Sequence, residues 1–267
     1  MEVRRPSGGM TLVTNAGSHG KFLAVMDFDV RGGKMVGYKY RLLPVFSNLL
    51  PADPDMEALI KKHRAPYESK LTEVLAHTEG VLYRRGNFNG TWDQLVLDAM
   101  LAVRGGDLAF SPGFRWGGSL LPGEPITREA LMTQLAITYP YCTLTEMTGA
   151  TVKAVMEDVC DNLFNPDPYY QQGGDMVRVG ALTYACEPGQ KQGNRIQDMR
   201  LNGKLIDPKK TYKVAGWAPV QQASANKSNP PIWEVVEEYL KHNPSIKPLK
   251  PNQPRLIGVK GNAGLAV

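Results

Sequence analysis

Leu108-Ala109-Phe110-Ser111-Pro112-Gly113-Phe114-Arg115-Trp116-Gly117-Gly118 is a short apolar run that breaks into a loop holding three glycines, an arginine and two aromatic residues. A run this brief, closed by Pro-Gly, reads as a buried strand ending in a turn. Glycines let backbone come close to a ligand. Arg115 offers a planar fork suited to sulfate, phosphate or carboxylate oxygens. The same residues read equally as a structural turn with Arg115 on the surface.

On both sides of this strand the period changes to that of a helix. Leu95, Val96, Ala99, Met100 and Val103 give Thr91 to Val103 an apolar helical face. Thr127 caps a helix running to Leu135, and a further helix is expected from Thr148 to Leu163. Strands follow at Met176 to Val179, Leu182 to Tyr184, Ile196 to Leu201 and Thr211 to Ala215, with Asn202-Gly203 as a hairpin turn. Helices and strands mix without a strict βαβ rhythm, so the fold class is α+β.

The first part of the chain has a different character. Phe22 to Val30 and Met35 to Leu43 read as a hairpin turned at Arg31-Gly32-Gly33-Lys34. A hairpin cannot make a core alone, so residues 1–47 are expected to complete a sheet whose other strands lie outside this chain. Asp53-Pro54 starts a helix, and the apolar positions Met56, Leu59, Ile60, Leu71, Val74 and Leu75 extend it as a linker helix over 48–78, kinked or interrupted at Pro66. Residues 79–225 then form the main domain, and 226–267, rich in Pro, Lys and Asn, form a tail that wraps back.

Composition bounds the function without naming it. The 267 residues are 42% hydrophobic and 21% charged, as in a soluble globular protein. The net charge of +5 comes without a long Lys/Arg run, which speaks against nucleic acid and fits an anionic small substrate or an acidic partner surface equally well. No apolar stretch approaches the ~20 residues of a membrane span. Cys142, Cys160 and Cys186 form no CxxC motif, and their odd number leaves room for one bridge at most. The N-terminus has no secretory signal pattern, so the protein is either cytoplasmic or continues upstream; the unpaired hairpin favours the second reading.

Several further residues are candidates for a site. Arg84-Arg85-Gly86-Asn87-Phe88-Asn89-Gly90-Thr91 places two arginines and two asparagines before a helix whose first amides could bind an anion. Taken alone, these residues favour the plainer reading, in which Asn89 or Thr91 caps the helix and the arginines are solvated. Tyr141 in Tyr139-Pro140-Tyr141, and Trp217 after the last strand, suit the wall of a pocket or core packing. Tyr169 and Tyr170 lie in a polar loop that could face a partner. Of the four histidines, His19 alone, in a glycine-flanked loop, is placed near chemistry. No histidine pattern of a metal site, nucleophile elbow or phosphate loop is present.

These pieces in this order resemble the 5'-nucleotidase superfamily of two-domain metallohydrolases. Asn15-Ala16-Gly17-Ser18-His19-Gly20-Lys21-Phe22 is similar to the last strand of its metallophosphoesterase domain. Thr91 to Met100, Gly113-Phe114-Arg115, Gly123-Glu124-Pro125-Ile126-Thr127, Leu144 to Met156 and Tyr212-Lys213-Val214 are similar to successive parts of its C-terminal domain. Within the superfamily, Arg85 to Asp93, Phe110 to Gly117 and Gly258-Val259-Lys260-Gly261-Asn262 resemble the SoxB family of thiosulfohydrolases. The fold implied is a 5'-nucleotidase C-terminal-type domain preceded by terminal strands of a metallophosphoesterase β-sandwich.

The resemblance also implies a function. The parent would be a periplasmic enzyme that uses two manganese ions to release sulfate from a cysteine-bound thiosulfonate on the carrier SoxYZ. Arg115 would act on the sulfonate oxygens as the catalytic residue, and Arg85, Asn87, Asn89, Gly113, Tyr141 and Trp217 would line the substrate cleft, with His19 near the metals. The family's metal-ligand motifs precede the region matched, so no metal ligand is carried over. Trp217-Ala218-Pro219-Val220-Gln221-Gln222 stands where nucleotidases carry a nucleoside-binding Asn-Gly-Gly-Asp-Gly loop, which favours a substrate without a base. The alternatives are a 5'-nucleotidase or related phosphoesterase, and a fragment that binds substrate or carrier without catalysis.

Overall fold

The computed structural model describes residues 1–17, 20–84, 86–114, 117–137, 139–217 and 228–261. It divides into two compact units, Met1–Glu68 and Ser69–Val267.

The first unit contains β1 (Glu2–Arg4) and β2 (Met10–Leu12), paired antiparallel, and the long hairpin of β3 (Phe22–Arg31) and β4 (Lys34–Pro44). The hairpin turns on Gly32 and Gly33, whose φ values of 54° and 72° are those a two-residue turn needs. Helix α1 (Pro54–Arg64) starts where Asp53 Oδ1 accepts from Met56 N at 2.9 Å. None of the described residues 1–68 is buried. Phe22, Leu23, Phe28, Val30, Val36 and Leu43 all stand exposed on the hairpin.

A one-turn helix, α2 (Glu68–Leu71), leads into the second unit. Here the linker helix expected over 48–78 is corrected. Leu71, Val74 and Leu75 are spaced as on a helix, yet Val74–Thr78 is strand β5. The second unit continues with α3 (Thr91–Arg104), β6 (Leu108–Ser111), β7 (Pro125–Thr127), α4 (Arg128–Leu135), β8 (Cys142–Thr148) and α5 (Gly149–Phe164). It closes with β9 (Arg178–Gly180), β10 (Leu182–Cys186), β11 (Ile196–Leu201), β12 (Lys204–Leu205), β13 (Thr211–Trp217), α6 (Ile232–His242), β14 (Ser245–Ile246) and β15 (Arg255–Leu256). Helix α5 falls where a helix is expected from Thr148 to Leu163, with Thr148 as its N-cap, and the strand before it, Cys142–Thr148, pairs along its whole length with β13.

The central sheet has the order β8-β13-β6-β9. Strands β13 and β6 are parallel, whereas β8 and β9 run opposite to them at the two edges. Because side chains alternate across a strand, this sheet feeds two cores. Ala109, Ala215 and Trp217 join one cluster with α3, α4, α6 and β5. Leu108, Phe110, Tyr212 and Val214 join the other with α5, β10 and β11. The fold is therefore α+β, with layers on both faces of the sheet. The two flanking sheets, three-stranded β14-β5-β7 and four-stranded β12-β11-β10-β15, each take a strand from the tail. Asn252 fixes that tail by donating to Val179 O at 2.8 Å and Leu182 O at 2.9 Å, while its own amide donates to Gln94 Oε1 at 2.8 Å.

Candidate functional site

Strand polarity brings the ends of four strands together at one end of the central sheet. Parallel strands β6 and β13 finish there at Ser111 and Trp217, and antiparallel β8 and β9 begin there at Cys142 and Arg178. The described residues attached to that end include 112–114, 117–118, 136–137, 139–141 and 171–177. The carboxyl ends of parallel strands are where open sheets place ligands.

A buried ion network holds the loops in place. Arg84 is 3% exposed and Arg178 0%. Arg84 Nε and Nη2 donate to Asp93 Oδ1 at 2.9 and 2.8 Å, and Nη1 donates to Gln134 O at 2.7 Å. Arg178 pairs with the other oxygen of Asp93 at 3.2 Å and with Asp175 Oδ2 at 2.9 Å. It also donates to Asn87 O at 3.0 Å. Two cations and two anions thus balance inside the protein, as buried charges must. Burial pushes Asp93 above the usual carboxylate range, opposed by its two arginine neighbours, and burial likewise pulls Arg84 down.

The network supports an aromatic wall. The Arg84 guanidinium lies 5.6 Å from the Phe114 ring centre and 5.7 Å from that of Trp217. Phe114 and Trp217 meet edge to face at 5.9 Å. Gly113 lets the loop fit: a Cβ there would lie 2.5 Å from Met176 O and 2.7 Å from Asp175 Cβ. Ser111 Oγ and Trp217 Nε1 are buried and have no hydrogen-bond partner among the described residues. Tyr141 is half-buried, with its backbone bridged to Pro231.

Some candidates belong to the support of the site. Asn89 is buried; its side chain donates to Gln94 Oε1 at 2.9 Å and accepts from Gly90 N at 3.0 Å. That use of its amide corrects the expectation that Asn89 lines the cleft. The candidate anion site at the start of α3 is also closed. Gly90 is the N-cap, Trp92 N donates to Tyr83 O at 3.0 Å, and buried Asp93 sits in the first turn. Thr91 Oγ turns back to accept from Tyr83 N at 2.9 Å. Asn87 is half-buried and its carbonyl anchors Arg178 and the Met176 amide. Arg115, Arg85 and His19 lie outside the described residues.

Sequence reading missed Asp93, Asp175 and Arg178. The available signal was a charge inside an apolar pattern: Asp93 stands on the α3 face that carries Val96, Leu97 and Met100, and Arg178 stands between Val177 and Val179. Burial pushes the Cys142 thiol up to about 12, which keeps it protonated and unsuited to nucleophilic attack at neutral pH. Among the described residues, no group of three or more His, Cys, Asp or Glu could hold a metal ion. Among them, too, no helix is long and apolar enough to cross a membrane.

Residues 74–225 match the family model of the 5'-nucleotidase C-terminal domain. The chain belongs to that family. Among curated 5'-nucleotidase C-terminal-domain relatives are silent protein UshA(0) of Salmonella typhimurium and protein UshA of Escherichia coli. Each is 22% identical over 227 residues, covering 76% of this chain and 38% of its own length. A solved structure of the Thermus thermophilus sulfate thiohydrolase SoxB, in complex with glycerol, aligns with a TM-score of 0.84 and 36% identity over 92% of this chain and 46% of that one. A 5'-nucleotidase precursor, also from Thermus thermophilus, aligns with a TM-score of 0.81 but 18% identity, over 97% of this chain and 54% of that one. The latter likeness is one of fold. This chain spans less than half the length of SoxB and of the UshA proteins.

Proposed function

We propose that this chain is the substrate-holding part of a SoxB-like hydrolase that releases sulfate from a cysteine-bound thiosulfonate on a SoxYZ-type carrier protein in the periplasm. The observation that carries the reading is the 36% identity with the SoxB structure over 92% of the chain, twice the 18% found with a nucleotidase that fits nearly as well in fold. Belonging to a family of hydrolase domains supports the broader class.

Phe114 and Trp217 would form an apolar wall that limits water, stiffened from behind by Arg84. Arg84 itself is spent on Asp93 and Gln134 O, so the cation for the sulfonate oxygens would be Arg115, as its motif implies. Asn87, Gly113 and Tyr141 would shape the same cleft. Two manganese ions would be held by residues outside this chain, and His19 would lie towards them.

The test is sulfate release from a peptide carrying a cysteine thiosulfonate, with manganese added, by the 267-residue chain and by a version extended upstream. Release by the extended form, lost on Arg115→Ala, is the expected result. Hydrolysis of nucleoside monophosphates without sulfate release would replace the reading with a nucleotidase. Binding of the peptide with no turnover by either form would replace it with a non-catalytic module.

A further inference from the structure

We infer that Cys160 and Cys186 close to form an intrachain disulfide that fastens α5 to the β10–β11 sheet, leaving Cys142 as a free thiol. Their sulfurs lie 3.8 Å apart, both buried, in the second core cluster. Cys142 is in the other cluster and cannot compete. A disulfide needs sulfurs about 2.05 Å apart, so roughly 1.8 Å closes on oxidation.

The surroundings already hold the two elements together without the cysteines. Glu157, three residues before Cys160, accepts from Ile196 N at 2.7 Å and from Gly193 N at 2.8 Å. Ile196 is the cross-strand partner of Cys186. One residue after Cys160, Asp161 accepts from Arg195 Nη1 at 2.6 Å, and Arg195 also donates to Phe164 O at 3.2 Å. Cys186 O accepts from Ile257 N at 2.9 Å, so the same point anchors the tail. The cross-link therefore joins backbones that are already in register.

The oxidant is a small-molecule disulfide such as oxidised glutathione. One cysteine thiolate attacks it, forming a mixed disulfide and releasing one glutathione thiolate. The second cysteine thiolate attacks the mixed disulfide and releases the other. The two protein thiols lose two electrons in total, and the two glutathione thiolates take up the two protons. The hydrogen bond with Cys186, and then burial, hold the Cys160 thiol far above the usual thiol range. The folded chain therefore exchanges slowly, and the bond forms as the chain folds.

The experiment refolds the full chain with a glutathione redox mixture or with a reductant, then titrates thiols in denaturant. The reduced chain should show its three thiols and the oxidised chain about one. A peptide map without reductant should join the peptides of Cys160 and Cys186, and the oxidised chain should melt roughly 5–10 °C higher, reversibly on reduction. Cys160→Ser and Cys186→Ser should each abolish the thiol loss, and Cys142→Ser should preserve it. Three thiols after oxidative refolding, or a joined peptide containing Cys142 or linking two chains, would overturn the inference. The map of the unsubstituted chain decides the matter even if a variant fails to fold. None of these readouts depends on the sulfate-release reading.

Discussion

Asp93 is the residue on which the candidate site balances, because its two oxygens separate two buried arginines, Arg84 at 2.8 Å and Arg178 at 3.2 Å. Asp93→Asn keeps the shape and removes the charge. Two guanidinium groups would then share the single carboxylate of Asp175, and breaking such a buried pair costs about 3–5 kcal/mol. Urea unfolding should show a loss of that size; a loss below about 1 kcal/mol would mean the network is neutral towards folding. Asp161 makes a prediction about pH. The hydrogen bond from Arg195, and next that from Asn165, hold its carboxyl below the usual range. A carboxylate held low stabilises the fold at pH above its unfolded value of about 3.9, and that contribution fades as pH falls through the lowered folded value. Asp161→Asn should therefore be less stable than the parent at pH 7, with the gap narrowing below about pH 4. Denaturant midpoints across that range check it, and a gap that widens in acid would refute it.

At the scale of elements, Gly113 decides how close the loop after β6 can come to residues 175–176. Its missing side chain would lie 2.5 Å from Met176 O and 2.7 Å from Asp175 Cβ, both immovable without shifting backbone. Gly113→Ala should cost about 1–3 kcal/mol by overpacking and weaken peptide binding by displacing Phe114 from Trp217. Thermal melts and equilibrium titration of the thiosulfonate peptide measure the two effects; wild-type values in both would mean the loop adapts freely. The glycine loop, α3, α4 and the Asn202-Gly203 turn were legible in the sequence because each is set by residues a few positions apart. Strand β5 was not, since Val74 to Thr78 owes its extended form to β7 and to β14, whose residue Ser245 pairs with His77. The same holds for the site. Aromatic and glycine positions announce themselves locally, whereas Asp93 meets Arg178 across 85 residues of sequence, and Asn89 is drawn inside by Gln94 and by Asn252 in the tail.

For the whole molecule, the two units differ in what holds them. Residues 69–267 enclose two clusters of fully buried side chains on opposite faces of one sheet, and the tail is bonded into both flanking sheets. Described residues 1–68 contribute no buried side chain at all. Since apolar burial supplies about 25 cal/mol per Å², almost all of the driving force for folding resides in the second unit. A chain cut to 69–267 should keep a single cooperative unfolding transition within a few degrees of the full chain. It should also be more soluble, because it loses the exposed strands carrying Phe22, Leu23, Phe28 and Val36. The break falls ahead of Glu73, whose carboxylate pairs with Arg128, and Arg128 also pairs with Glu237 on α6. Cutting instead after Glu73 would remove one anion from that cluster as well as the lead-in to β5. Differential scanning calorimetry on both cuts separates the two: a cooperative melt for 69–267 places the folding unit at that boundary, whereas a broad, non-cooperative melt would show that the hairpin unit is needed to complete the core.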